Sequence, residues 1–258
     1  MSVVQSPAET NQTTKTLTLA KALNAGLRAA LSADDKVLLY GEDIGSLGGV
    51  FRVTEKLQAQ FGPDRVLDSP LAEAGLIGTA IGMAQRGYRP VVELQFDGFV
   101  FPGFDQITQQ LAKMRFRSHG RVQLPVVVRF PYGGGIGSIE NHSESVEAYF
   151  AHTPGLTVVT PSNPNDGYWM IQQAIASPDP VIFLEPKRRY HEKGAVQLDA
   201  PALGLHEASV ARAGTDVTLI CWGPMVRTCL DAAAAAEKEG RSVEVVDVRS
   251  LQPLDFET

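Results

Sequence analysis

Short, nearly continuous runs of apolar residues, each closing at a glycine, proline or acidic residue, limit what this chain can fold into. The runs K-V-L-L-Y (36–40), R-P-V-V-E-L-Q-F (89–96), P-V-V-V-R-F (125–130), L-T-V-V-T (156–160) and V-I-F-L (181–184) lack the strict alternation of a half-buried strand. Runs of this kind suit strands covered on both faces, as in a parallel sheet. Between them, residues 17–31, 54–61, 70–86, 104–117 and 166–176 read as helices. Strand alternating with helix predicts an α/β fold, with a doubly wound and mostly parallel sheet.

The same pattern divides the chain. Residues 1–16 are polar and rich in Thr, Ser and Gln, and read as a disordered tail. Residues 17–190 form the main unit. Pro, Gly and charges dominate 186–205, so 191–207 read as a linker over the surface. Residues 208–258 begin a second α/β unit with only two strands, 216–222 and 243–248, around a helix at 225–239. Two strands are too few for a doubly wound domain, so this unit is expected to be truncated.

A net charge of −6 and a pI near 5.4 argue against a nucleic-acid partner. No segment is long and apolar enough to cross a bilayer. The start of the chain lacks the basic and apolar regions of a signal peptide. Cys221 and Cys229 have neither CxxC spacing nor nearby histidines and read as reduced thiols, which leads to the expectation of a cytoplasmic protein.

Residues 68–99 hold the most unusual helix. Ser69 before Pro70 reads as its cap. Gly75, Gly78 and Gly82 share one face. Each costs about 1 kcal/mol relative to Ala, which suggests that something approaches that backbone closely. Glu73 lies roughly 160–200° around from the stripe. It carries two readings: an acid favoured by the helix dipole, or a carboxyl poorly solvated among Leu71, Ala72, Ala74, Leu76 and Ile77, with a raised pKa suited to proton traffic.

Other candidates also carry two readings. His142, in S-I-E-N-H-S-E-S, is either an exposed loop histidine or an acid–base group. Phe96 and Phe99 follow a strand end, where ligands of open parallel sheets bind; they either pack in the core or stack on a flat ring. The glycine-rich segment 132–138 reads as a mobile loop in preference to an anion cradle, and neither G-x-x-x-x-G-K-[ST] nor G-x-G-x-x-G follows a strand.

Taken together, G-E-D-I-G (41–45), G-G-V-F-R-V-T (48–54), F-G-P-D-R-V-L-D-S-P-L-A-E-A-G (61–75), R-P-V-V-E-L-Q-F-D-G-F (89–99), N-H-S-E-S (141–145), H-T-P-G-L-T-V-V-T-P-S (152–162) and L-E-P-K-R-R-Y (184–190) resemble the beta subunit of the thiamine-diphosphate-dependent 2-oxo acid dehydrogenases. The resemblance covers residues 17–255. It is nearest the branched-chain type, with pyruvate and acetoin enzymes close behind.

The resemblance implies a pyrimidine-type domain and thiamine diphosphate shared with an alpha subunit in an alpha2beta2 assembly. The alpha subunit would hold Mg²⁺ through a G-D-G…N-N motif, which this chain lacks. It further implies oxidative decarboxylation of a 2-oxo acid and acyl transfer to the lipoyl group of a dihydrolipoyl acyltransferase. Glu73 would be the acid hydrogen-bonded to N1′ of the aminopyrimidine, and Phe99 the aromatic against that ring. His142 would stand at the mouth of the site, with Glu42 and Gln95 as supporting polar groups and the glycine stripe at a subunit interface. The family's structural potassium ion would fall near Ala174 and Asp179, where Ser177 and Asp179 replace a commoner Asp and Asn. Relatives continue for some 70 residues more, which leaves a non-catalytic assembly protein as a different reading.

Overall fold

A computed structural model describes residues 13–201 and 203–258. In chain order its elements are β1 (Thr14–Thr18), α1 (Leu19–Ala33), β2 (Val37–Gly41), α2 (Leu57–Phe61), β3 (Val66–Asp68), α3 (Glu73–Gln85) and β4 (Arg89–Glu93). A 3-10 helix (Asp97–Gly103) and a π-helical turn (Gln106–Leu111) follow, then α4 (Met114–Arg117), β5 (Val127–Tyr132), α5 (Glu147–Ala151), β6 (Thr157–Val159), α6 (Pro164–Ala176) and β7 (Val181–Pro186). The remainder is β8 (Lys193–Gln197), β9 (Ser209–Arg212), β10 (Val217–Cys221), α7 (Pro224–Glu237), β11 (Val243–Asp247) and β12 (Ser250–Gln252).

The main sheet has seven strands in the order β12-β6-β7-β5-β4-β2-β3. All pair in parallel except β12, which runs antiparallel to β6. The continuous apolar runs are explained by burial on both faces. Val127, Val181 and Phe183 face α1 and α6, while Val128, Phe130, Ile182 and Leu184 face α3, the π turn and α5. This is the doubly wound α/β fold expected. A smaller sheet, β10-β11-β9, carries α7 on one face.

Several local expectations change. Thr18 ends β1 and caps α1, its hydroxyl accepting the Lys21 N–H, so residues 17 and 18 are strand. β1 pairs antiparallel with β8, so residues 14–16 belong to a ribbon and not to a tail. Residues 193–197 are likewise strand within the stretch expected as linker, because β1 offers them a ladder. Residues 1–12 of the expected tail lie outside the described residues. The expected helix at 104–117 is a π turn and a short α-helix, and that at 54–61 shortens to α2.

Ser69 does not cap α3. Its hydroxyl donates to the Pro70 carbonyl at 2.8 Å, and the helix begins only at Glu73. The close backbone approach expected of Gly75, Gly78 and Gly82 is also absent among the described residues. An added Cβ would meet nothing within 4 Å at Gly78 or Gly82, and only Ala72 at 3.6 Å from Gly75. Close approach within the chain occurs instead between α1 and α6. There a Cβ on Gly26 would lie 2.6 Å from the Tyr168 carbonyl, and one on Gly167 would lie 2.6 Å from Leu19.

Candidate active site

The carboxyl ends of β2, β3, β4, β5 and β7 lie along one edge of the main sheet, and the segments that follow β2, β3, β4 and β5 build the site. Glu42 directly follows β2 and is buried. Its carboxylate accepts the Ala72 N–H at 3.2 Å. The start of α3 is therefore capped by a residue from a neighbouring strand end instead of by Ser69. Glu73 comes next and is also buried; its carboxylate has no hydrogen-bond partner among the described residues. Burial, and then the nearby Glu73 carboxyl, push the Glu42 pKa above its ordinary value, against the pull of the Ala72 N–H.

Gln95 follows β4, and its amide donates to the exposed Asp43 carboxylate at 2.9 Å. Phe96 and Phe99 flank the first turn of the 3-10 helix, with ring centroids 5.5 Å apart. The His142 ring lies 4.3 Å from Phe96 and 5.3 Å from Phe99, edge-on to each. His142 Nδ1 is 2.9 Å from the Glu140 carbonyl. The 3-10 helix then reaches back to α3: a Cβ on Gly103 would lie 3.2 Å from the Glu73 carbonyl oxygen. Glu42, Glu73, Gln95, Phe99 and His142 thus stand along one edge of the sheet.

Ala174 and Asp179 do not join them. They flank the turn from α6 into β7, at the opposite end of that strand. There the Ala174 carbonyl accepts the Ser177 N–H at 3.2 Å. Arg89 donates to the carbonyls of Ile175 at 2.9 Å and Ser177 at 3.3 Å, and Arg115 pairs with the Asp179 carboxylate. The carbonyls here have N–H partners, and guanidinium groups already supply the positive charge. This donor set does not fit a potassium ion, and no group of three or more metal-ligating side chains occurs among the described residues.

Two buried ionic groups beneath the site went unread in the sequence. Arg129 on β5 pairs with Glu93 on β4, its register partner. It also contacts Glu185 on β7 in bidentate fashion, at 2.5 and 2.8 Å. Tyr190 donates to Glu185 at 2.6 Å. Burial works against the Arg129 charge, but the two carboxylates outweigh it and hold the guanidinium more firmly protonated than usual. Burial raises the Glu93 pKa in turn. The second group is Lys187 with Asp97, 2.8 Å apart. A signal for both was present: charged residues inside V-V-E-L, V-V-V-R-F and F-L-E-P-K must find partners if their strands are covered on both faces.

The arrangement offers a pair of carboxyl groups in a poorly solvated corner, an aromatic wall and a histidine at its rim. Burial in this corner favours the protonated form of Glu42. A flat heteroaromatic ring with polar nitrogens fits this donor and acceptor set.

Comparison with known proteins gives a consistent answer. Residues 15–193 match the family model "Transketolase, pyrimidine binding domain", and residues 206–258 match "Transketolase, C-terminal domain". Over 249 residues the chain is 62% identical to the pyruvate dehydrogenase E1 component subunit beta of Leifsonia xyli subsp. xyli, covering 96% of this chain and 74% of that protein. It is 53% identical over 246 residues to the 3-methyl-2-oxobutanoate dehydrogenase subunit beta of Mycobacterium tuberculosis, covering 95% and 71%. Among solved structures, a split-gene transketolase in an inactive beta4 tetramer aligns with TM-score 0.74 at 22% identity, over 93% of this chain and 73% of that one. A transketolase from Campylobacter jejuni aligns with TM-score 0.71 at 19% identity, over 92% and 36%. At these identities the two structures bear on the fold alone.

Proposed function

The chain belongs to the family of 2-oxo acid dehydrogenase E1 beta subunits, built from transketolase pyrimidine-binding and C-terminal domains, and from that premise we propose that it supplies the pyrimidine half of a thiamine diphosphate site completed by an alpha subunit. Bound thiamine diphosphate would act as the electron sink for decarboxylation of the 2-oxo acid. The observation that carries this reading is Glu73: a buried carboxyl at the first position of α3, without a hydrogen-bond partner among the described residues. Glu73 would hold the pyrimidine ring through its carboxyl, and Glu42 would brace the start of α3 through the Ala72 N–H. Phe99 would pack against the ring, with Gln95 supporting the polar rim. His142, half-buried at the edge of the wall, would handle protons where a lipoyl group approaches. Mg²⁺ would belong with the diphosphate and the alpha subunit.

The open face at Gly75, Gly78 and Gly82 supports a partner subunit, because the helix carries the cost of three glycines with nothing among the described residues against two of them. An acyltransferase bearing a lipoyl group is the natural acceptor for the acyl product, as the motifs quoted above imply. For the substrate, those motifs favour a branched-chain 2-oxo acid. The 62% identity to a pyruvate dehydrogenase beta subunit favours pyruvate.

Reconstitution tests the reading. The chain is combined with an alpha subunit, thiamine diphosphate and Mg²⁺, and CO₂ release is followed with a dye as electron acceptor. Pyruvate, 2-oxoisovalerate and 2-oxo-4-methylpentanoate are compared. Turnover of one of them is expected; assembly with the alpha subunit and cofactor binding without turnover of any would identify a non-catalytic assembly protein.

A further inference from the structure

Beneath the aromatic wall lies an ion pair that the proposed chemistry does not use. Lys187 follows β7 and Asp97 opens the 3-10 helix; both side chains are fully buried, 2.8 Å apart. The Asp97 oxygen Oδ1 has no hydrogen-bond partner among the described residues. An unpartnered buried oxygen is a poor arrangement if stability alone is served. Apolar residues of similar volume commonly hold a core at least as well as a buried ion pair. A charged hydrogen bond, however, fixes one separation and one direction, where apolar surfaces can slide.

What this pair fixes is specific. Asp97 sits between Phe96 and the Gly98–Phe99 step. The Gly98 N–H donates to the Asn141 carbonyl at 3.2 Å. A Cβ at Gly98 would fall 2.4 Å from that oxygen, so the 3-10 helix and the histidine loop touch backbone to backbone. Lys187 Nζ also lies 6.0 Å from the centroid of Phe96, whose ring in turn contacts His142. Six residues after Asp97, Gly103 rests against the backbone of Glu73. The 3-10 helix therefore spans the gap between the histidine loop and α3, and the ion pair anchors its starting end.

We propose that Asp97 and Lys187 are a positioning pair that sets the distance between Glu73 and the wall formed by Phe99 and His142. The inference rests on the reading that this wall receives the pyrimidine ring of thiamine diphosphate. Neither residue touches the cofactor; both act through the 3-10 helix.

The test uses the complex with the alpha subunit and compares wild type, Lys187→Met, and the double variant Asp97→Asn with Lys187→Met. Melting temperature, thiamine diphosphate affinity by titration calorimetry, and kcat and KM for the 2-oxo acid are measured on each. Lys187→Met alone strands a buried carboxylate and is expected to melt lower. The double variant is expected to recover the wild-type melting temperature while binding thiamine diphosphate about tenfold more weakly and losing kcat to a similar extent. A double variant that melts like wild type and also binds and turns over like it overturns the inference. If the double variant does not fold, Lys187→Arg takes its place, with weakened cofactor affinity at near-normal stability expected. Failure of every variant to fold makes the pair purely structural and likewise overturns the inference. A wild-type complex that binds no thiamine diphosphate removes the underlying functional reading instead.

Discussion

Glu42 and Glu73 share one buried corner, joined through the Ala72 N–H that the Glu42 carboxylate accepts at 3.2 Å. Glu42 has a raised pKa, from burial first and Glu73 second. A raised folded-state pKa means that the protonated form favours folding. Its contribution is present at low pH and is lost as pH rises from the ordinary value of 4.5 through the raised one. Glu42→Gln, which keeps an acceptor for Ala72, is expected to melt higher than wild type at pH 7 by a few degrees. The advantage should shrink toward pH 4.5. Thermal unfolding across that range checks it, and a pH-independent difference would refute it.

Glu73→Gln keeps the size of the side chain but removes its acid. Loss of a positioned proton carrier typically reduces turnover by roughly 10²–10⁴-fold. The dye-linked assay on the reconstituted complex is expected to show a loss of this order with little change in melting temperature. Near-wild-type rates would remove Glu73 from the chemistry.

His142→Ala separates two half-reactions. Because the ring stands at the rim of the wall, its loss is expected to slow acylation of a lipoyl domain more than decarboxylation with the dye. Equal effects on both rates would deny it that role.

Arg129→Met leaves Glu93 and Glu185 buried without their shared cation. Breaking a buried pair from one side typically costs about 3–5 kcal/mol. Urea denaturation of the variant is expected to show a loss in that range, and a change below 1 kcal/mol would mean that the two carboxylates readily release their charge.

Gly78 provides an assembly test. Among the described residues nothing lies within 4 Å of its Cβ position, so Gly78→Ala is expected to stabilise the unassembled chain by up to about 1 kcal/mol. Gly78→Leu should also fold, yet fail to enter the complex with the alpha subunit, as measured by size-exclusion chromatography with light scattering. Normal assembly of Gly78→Leu would show that no partner approaches that face.

Much of the fold was legible because uninterrupted apolar runs leave few options. Val127, Val181 and Phe183 can share a chain with Val128, Ile182 and Leu184 only if both faces of the sheet are covered. The candidate site was read chiefly through family motifs, since the isolated features at Glu73 and His142 each carried an ordinary reading. What stayed hidden depended on partners remote in sequence. The cap of α3 comes from Glu42, 30 residues before Ala72, so local rules pointed to Ser69. The ribbon of β1 with β8 joins residues nearly 180 apart, and a polar start therefore resembled a tail. Arg89 and Arg115 reach the turn after α6 from elsewhere in the chain, and no local pattern announces them.

The antiparallel strand β12 has one further consequence. It comes from the far side of the smaller α/β unit, after β11, yet pairs with β6 at the border of the main sheet. Loosening the small unit would strip that border and bare a row of peptide groups ready to pair with another molecule. The two units are thereby coupled in unfolding, and β12 acts as a clasp whose release links local melting to aggregation.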